Sequence, residues 1–380
     1  MVPRSKAPAL VVACGAIGLA LGCGNHGGNG GPTGLGPPGG LANCSAPQFL
    51  TTSLVLFENI RFISPLGNLN PPPHTFPTDH LYFYMAVATA AIVAPGDIVV
   101  TEVLVQHRTG GGQPDLDDYS VTFFPCADVM IQLGHVARLG TQFSAKVGAL
   151  DGECAAPYPT GGFTYQQCRK SVNVSMAAGE AIGVTGGTLD VFARDRRVNV
   201  SWANPARLSD PVGDFGDRHV ACAIDYFVAP IGDQLRSKLG TQGAVRRTPP
   251  VCGDVAQDVV NTAAGRWFQP GSPTYPEDPH LALAHDNVVP SLGVFSVGTS
   301  IPSLPANVYT FPPVPIGRTN LDFRYVATVG EIICYTVSRN QRVLLQLVSA
   351  VRLKVEGIGP GACGDPGTWA FSAGAVEFER

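Results

Sequence analysis

Forty-five glycines and 33 prolines break this 380-residue chain into short pieces, and the pieces between them are rich in Val, Ile, Phe and Tyr. Proline removes a backbone donor and glycine lowers the order of a helix interior, so a chain punctuated this often has little room for long helices. The runs between these breaks are β-prone, with alternating faces. In the first half these are His80–Met85 (HLYFYM), Ala91–Ala94, Ile98–Gln106, Tyr119–Phe124, Val129–Leu133, Val172–Ser175, Ala181–Val184 and Leu189–Ala193. Turn residues stand between them, as at Pro95-Gly96-Asp97 and Ala178-Gly179-Glu180. One short helical period is visible, around Ile231–Leu239. The pattern predicts an all-β body of barrel or sandwich type, followed by a second β unit from about Gly253 to Arg380.

The N-terminus is of a different kind. Arg4 and Lys6 precede an apolar run from Ala7 to Leu21, which is too short for a membrane span and has the layout of a secretory signal. The run ends in LALGC, and the placement of Cys23 resembles the lipobox of bacterial lipoproteins. That resemblance implies cleavage after residue 22 and lipidation of Cys23. A glycine-rich stretch follows, whose composition cannot bury enough surface to offset its ordering entropy and reads as a tether. The expected layout is a signal peptide (1–22), a lipidated Cys23 with its tether (23–43), a first β domain (44–210), a connecting segment with a short helix (211–252) and a C-terminal β domain (253–380).

Eight cysteines remain in the body: Cys44, Cys126, Cys154, Cys168, Cys222, Cys252, Cys334 and Cys363. An even count in an exported chain suggests disulfides, and the absence of any Cys-x-x-Cys argues against a zinc ribbon or a thioredoxin-like motif. Sequence neighbours suggest Cys154–Cys168, Cys222–Cys252 and Cys334–Cys363, leaving Cys44 with Cys126. Net charge is −4 with no basic stripe, so nucleic acid is not an expected partner. Asp115, Asp117 and Asp118 lack the remainder of a calcium loop and read as a solvated loop. His280 and His285 flank an apolar run at odd spacing, which places them on opposite faces of a strand, with Asp286 in the turn after it.

Four stretches, in order, resemble the lysostaphin-type peptidoglycan endopeptidases. AIVAPGDIVVTEV (91–103) is similar to their V-x-A-P-x-x-G-x-V hairpin, and VMIQLGHVARL (129–139) to their Y-x-H-L-S strand. AAGEAIGVTGG (177–187) is similar to their K-x-G-Q-x-I-G-x-x-G turn, and TLDVFARD (188–195) falls where they carry H-x-H-F-E. The resemblance implies a duplicated-hairpin β fold over roughly residues 75–200. It places the first zinc ligand at His80, the ligating Asp at Tyr84, the His-x-His pair at Leu189 and Val191, and the auxiliary catalytic histidine at His135. Tyr, Leu and Val cannot stand in for a carboxylate and two imidazoles, so the family's hydrolytic zinc site is not expected here.

His80, His135 and Asp190 remain as candidates for a rearranged catalytic or metal site, because a one-residue slip would bring Asp190, or Asp79, into the groove. The sequence therefore reads as an outer-membrane lipoprotein of the cell envelope, facing the periplasm or the surface. It is anchored to the membrane by lipid, has no cofactor, and binds peptidoglycan or an envelope protein. The alternative is a zinc-dependent peptidoglycan endopeptidase with a rearranged metal site.

Overall fold

The structure is a computed structural model and describes residues 36–380 except 151, 161–162 and 209–214. The signal peptide, Cys23 and the tether up to residue 35 lie outside the described residues. The fold is all-β, as expected. Ten strands form the first sheet: β1 (Ile60–Ser64), β2 (His80–Met85), β3 (Ala90–Val93), β4 (Ile98–Gly110), β5 (Leu116–Cys126), β6 (Val129–Leu139), β7 (Glu153–Cys154), β8 (Tyr158–Thr160), β9 (Phe163–Met176) and β10 (Ala181–Asp195). They run in the order β1-β2-β10-β6-β5-β4-β9-β7, with β3 also on β10 and β8 on β9. The two ends of this path do not pair, so the sheet is open and the barrel alternative is not realised.

On β2 and β10 alternate residues enter the core. On β2, Leu81, Phe83 and Met85 enter the core, and on β10 so do Leu189, Val191 and Ala193. Two stretches expected as separate strands, 181–184 and 189–193, are one continuous β10 that pairs first with β3 and then with β2. A short helix α1 (Thr141–Val147) caps this core with Phe143 and Val147. The segment expected to be a connector is part of the same core: Val220, Ala223, Ile224, Phe227, Leu235 and Leu239 pack into it, the last two around helix α2 (Ile231–Arg236). The end of the expected tether is also docked. The Ala127 N–H donates to the Ala42 carbonyl (2.8 Å), and Leu41 packs on a cluster of Phe124, Met130 and Phe215.

After a two-residue ribbon, β11 (Gly240–Thr241) with β12 (Ala244–Val245), the second unit has its own core. One four-stranded sheet is β13 (Gly265–Trp267), β14 (Leu281–His285), β15 (Gly293–Val297) and β16 (Asn307–Phe311). The other is β17 (Ile332–Val337), β18 (Gln341–Ser349), β19 (Arg352–Pro360) and β20 (Val376–Glu379). Trp267 is wholly buried between the sheets and donates its indole N–H to the Ala263 carbonyl (2.8 Å). The C-terminal Arg380 guanidinium lies over its ring, 4.2 Å from the centroid. Four disulfides close Cys44–Cys126, Cys154–Cys168, Cys222–Cys252 and Cys334–Cys363, the pairing of sequence neighbours. Among the described residues no helix is long and apolar enough to cross a membrane.

Candidate functional site

The core strands β2 and β10 turn their other faces toward a common polar centre. On β2 that face carries His80, Tyr82 and Tyr84; on β10 it carries Asp190, Phe192 and Arg194. The register pairs Phe192 with His80 and Asp190 with Tyr82, and on the other side of β10 it pairs Asp190 with Gly134 of β6. This corrects the positions the family resemblance assigned to the His-x-His pair. Leu189 and Val191 point into the hydrophobic core, and the residues of that strand on the His80 face are Asp190 and Phe192. Tyr84, at the position of the ligating Asp, is stacked on Phe62 with ring centroids 4.4 Å apart.

β6 is bent at the centre. Its register with β5 slips between Tyr119↔Val136 and Val121↔Leu133, and its register with β10 slips between Thr185↔Val136 and Asp190↔Gly134. Against β5 the extra residue is taken up at Gly134 and His135, whereas against β10 the extra length lies on β10 between Thr185 and Asp190; His135 sits at φ 60°, a left-handed conformation that is costly for a residue with a Cβ. Gly134 leaves room for Asp190: a Cβ there would stand 3.3 Å from the Asp190 Cβ. The bulge thus re-aims His135 at Asp190, and strain of this kind persists only where surrounding contacts hold it.

The side chains form an alternating row of carboxylates and imidazoles. Asp79 Oδ1 is 3.0 Å from His80 Nδ1, and His80 Nε2 is 3.7 Å from Asp190 Oδ2. Asp190 Oδ2 is in turn 3.3 Å from His135 Nε2, and His135 Nδ1 is 2.7 Å from Asp118 Oδ2. Asp117 and Asp118, expected in a solvated loop, lie within β5 because the β4–β5 hairpin extends further than its apolar run, and Asp117 holds His107 (2.7 Å). Arg194 forms an ion pair with Asp79 and stands 3.6 Å from Asp217. Burial pushes the Asp79 carboxyl up, but the Arg194 guanidinium and His80 outweigh it and hold the group well below the usual carboxylate range.

An ionised carboxylate only accepts hydrogen bonds, so Asp79 takes the Nδ1–H of His80, and an ionised Asp118 takes that of His135. Both Nε2 atoms then face Asp190. Burial pushes the Asp190 carboxyl up, opposed by His135 and His80 and reinforced by Asp118 and Asp79. His80 Nε2 and Asp190 Oδ1 are buried without a hydrogen-bond partner.

Of the candidates read from sequence, His80, His135 and Asp190 are therefore brought together, and Asp79 supports them from behind. As the side chains stand, no three His, Cys, Asp or Glu groups among the described residues are disposed to hold a metal ion. His74 went unnoticed in the sequence. Its ring lies edge-on 5.9 Å from His80 and 6.4 Å from Tyr82. Burial and the neighbouring His80 and His135 lower its pKa to about 4, so it stands neutral at pH 7. The signal was available in the compact stretch HTFPTDH, which sets His74, Asp79 and His80 within seven residues.

His280 and His285 are structural. His280 accepts the Gln269 N–H (3.1 Å), and His285 is held between the Pro290 carbonyl (2.7 Å) and Asp322 (3.3 Å). Asp286 closes its turn by accepting from Val288 and Val289. A groove of about 810 Å³ lies elsewhere, beside Cys44, Tyr226 and Cys252. Comparison of the chain with protein-family models, with curated proteins and with solved structures finds no match.

Proposed function

We propose that this chain is an exported, lipid-anchored envelope protein whose first unit is a non-hydrolytic relative of lysostaphin-type peptidases. It holds cell-wall material or an envelope protein at the face of His80, His135 and Asp190. The observation that carries this reading is the direction of β10: Leu189 and Val191 are core residues, and the His80 face carries Asp190 and Phe192 instead of a His-x-His pair. A hydrolytic zinc needs about three protein ligands to bind and activate its water, and of the family's ligand positions only His80 is retained. The residues that remain are suited to polar recognition. A carboxylate and two imidazoles of fixed orientation lie beside the aromatic rings of Tyr82, Tyr84 and Phe192.

One observation favours a second reading, a rearranged zinc centre on His80, His135 and Asp190: both Nε2 atoms approach the same carboxylate oxygen. A single set of measurements on purified full-length protein separates the two. Co-sedimentation with insoluble peptidoglycan that weakens in Asp190→Asn and His135→Ala, with no turnover of wall peptides and no bound zinc, supports the binding reading. Stoichiometric zinc with chelator-sensitive cleavage supports the second reading and refutes the first.

A further inference from the structure

The segment that delivers His74, Asp79 and His80 leaves the first unit and touches the second. At its middle Phe76 is buried against Phe268 and Ala282. Its ring lies flat on His280 (5.2 Å, 10° between planes) and edge-on to Phe268 (5.1 Å). The Arg266 guanidinium covers it at 5.2 Å and also lies 4.0 Å from the Trp202 ring centroid. The Phe76 N–H donates to Glu277 Oε2 (2.8 Å). Every one of these groups except Trp202 belongs to the second unit.

We propose that the second unit positions the His80 centre by gripping this segment at Phe76, and that the grip loosens when Glu277 loses its proton. Charges around the clasp show why. Asp79 and Asp217 both face Arg194, and Arg266 is the cation that faces Glu277; Tyr275 is neutral, and burial keeps the His280 imidazole from charging. Arg207 and Asp278 act on His280 with opposite sign, so the cations of the clasp balance its anions only while Glu277 is a neutral acid. Ionisation adds a further anion, which is relieved most cheaply by letting water in and lifting Phe76 out. Burial accordingly pushes the Glu277 carboxyl up to about 8, against the Phe76 N–H and Arg266, which lower it.

The direction of the pH response follows. The clasped state keeps the Glu277 proton over a range in which an opened, solvated Glu277 has lost it. Opening is therefore promoted as pH rises from the ordinary carboxylate range, near 4.5, to about 8, and levels off above. The inference concerns the geometry of the centre and leaves open what the centre binds, so its test reads the segment itself.

In the full-length protein, amide hydrogen exchange over residues 74–80 is measured between pH 5 and pH 9 and corrected for the intrinsic chemical rate. The opening constant of the wild type is expected to rise by up to about tenfold per pH unit below pH 8 and then flatten. Glu277→Gln is expected to show no such rise, and Phe76→Ala to be open at every pH while strands β13–β16 stay protected. A flat wild-type profile, a Glu277→Gln profile that still rises, or unaltered protection in Phe76→Ala overturns the proposal. Should Glu277→Gln fail to fold, carbon-13 titration of the Glu277 carboxyl in the wild type decides instead: a midpoint near 8 supports the clasp, and one near 4 overturns it.

Discussion

Gly253→Ala is expected to damage this protein far more than an alanine at another left-handed glycine. Gly253 has φ +91°, and a Cβ there would lie 2.2 Å from the Leu66 carbonyl oxygen and 2.9 Å from the Leu66 nitrogen and carbonyl carbon. All three are backbone atoms. They belong to a parallel bridge in which the Leu66 N–H donates to Cys252 (2.9 Å), so no flexible side chain can yield. Gly179 has φ +83° with nothing within 4 Å of the added Cβ, and serves as the control. The left-handed conformation costs an alanine about 1–2 kcal/mol at either site. Forced displacement of packed backbone adds about 1–3 kcal/mol at Gly253 alone, so the two variants should differ by about 2 kcal/mol. Equilibrium urea denaturation, followed by tryptophan fluorescence and far-ultraviolet circular dichroism together, gives both values if the two probes coincide and the slope is unchanged. Equal losses for the two variants would show that the seam between residues 66 and 253 is not closely packed.

Four other outcomes follow. Non-reducing mass spectrometry should find all eight body cysteines paired; by loop length, Cys222–Cys252 stabilises by about 3–4 kcal/mol, so reduction should lower the melting temperature clearly. His135→Gly should be about 1 kcal/mol more stable than His135→Ala, because only the glycine is at ease at φ 60°; equal stability in thermal melts would mean that the bulge carries no strain. Cys23→Ala should move the protein from the membrane fraction to the soluble one or leave it unprocessed; a wild type that is already soluble, with no added acyl mass, counts against the anchor. Asp190→Asn should weaken wall binding without unfolding the protein, as judged by co-sedimentation and circular dichroism side by side.

The strand pattern was legible because β-prone aromatic and branched residues cluster between turn residues: His80–Met85 appears in the structure with the limits expected from sequence alone. The three polar candidates were also legible, although for a reason that needed correction. A motif fixes spacing along a strand, but a one-residue slip reverses which face each residue takes, and only the pairing of β10 with β2 settles that Asp190, not Leu189 or Val191, shares a face with His80. The bulge at His135 leaves no mark in composition, since it arises from the pairing of β6 with β5. Arg194 was missed for a related reason: it meets Asp79 across a long-range contact that no local pattern encodes. The segment around Ile224–Leu239 looked like a connector because its one helical period is short, yet its apolar residues fill the first core.

The place of β10 between β2 and β6 fixes the order in which this centre can come into being. A chain emerging from its N-terminus carries His80, Asp118 and His135 long before residues 181–195 exist, and until then the strands bearing His80 and His135 have no common neighbour. Pairings across such separations close slowly, because loop entropy is spent before the contacts repay it. The centre therefore works as a proof of completion: a nascent or truncated chain that lacks β10 can have folded hairpins at β4–β5 and β5–β6, yet it has no assembled polar row.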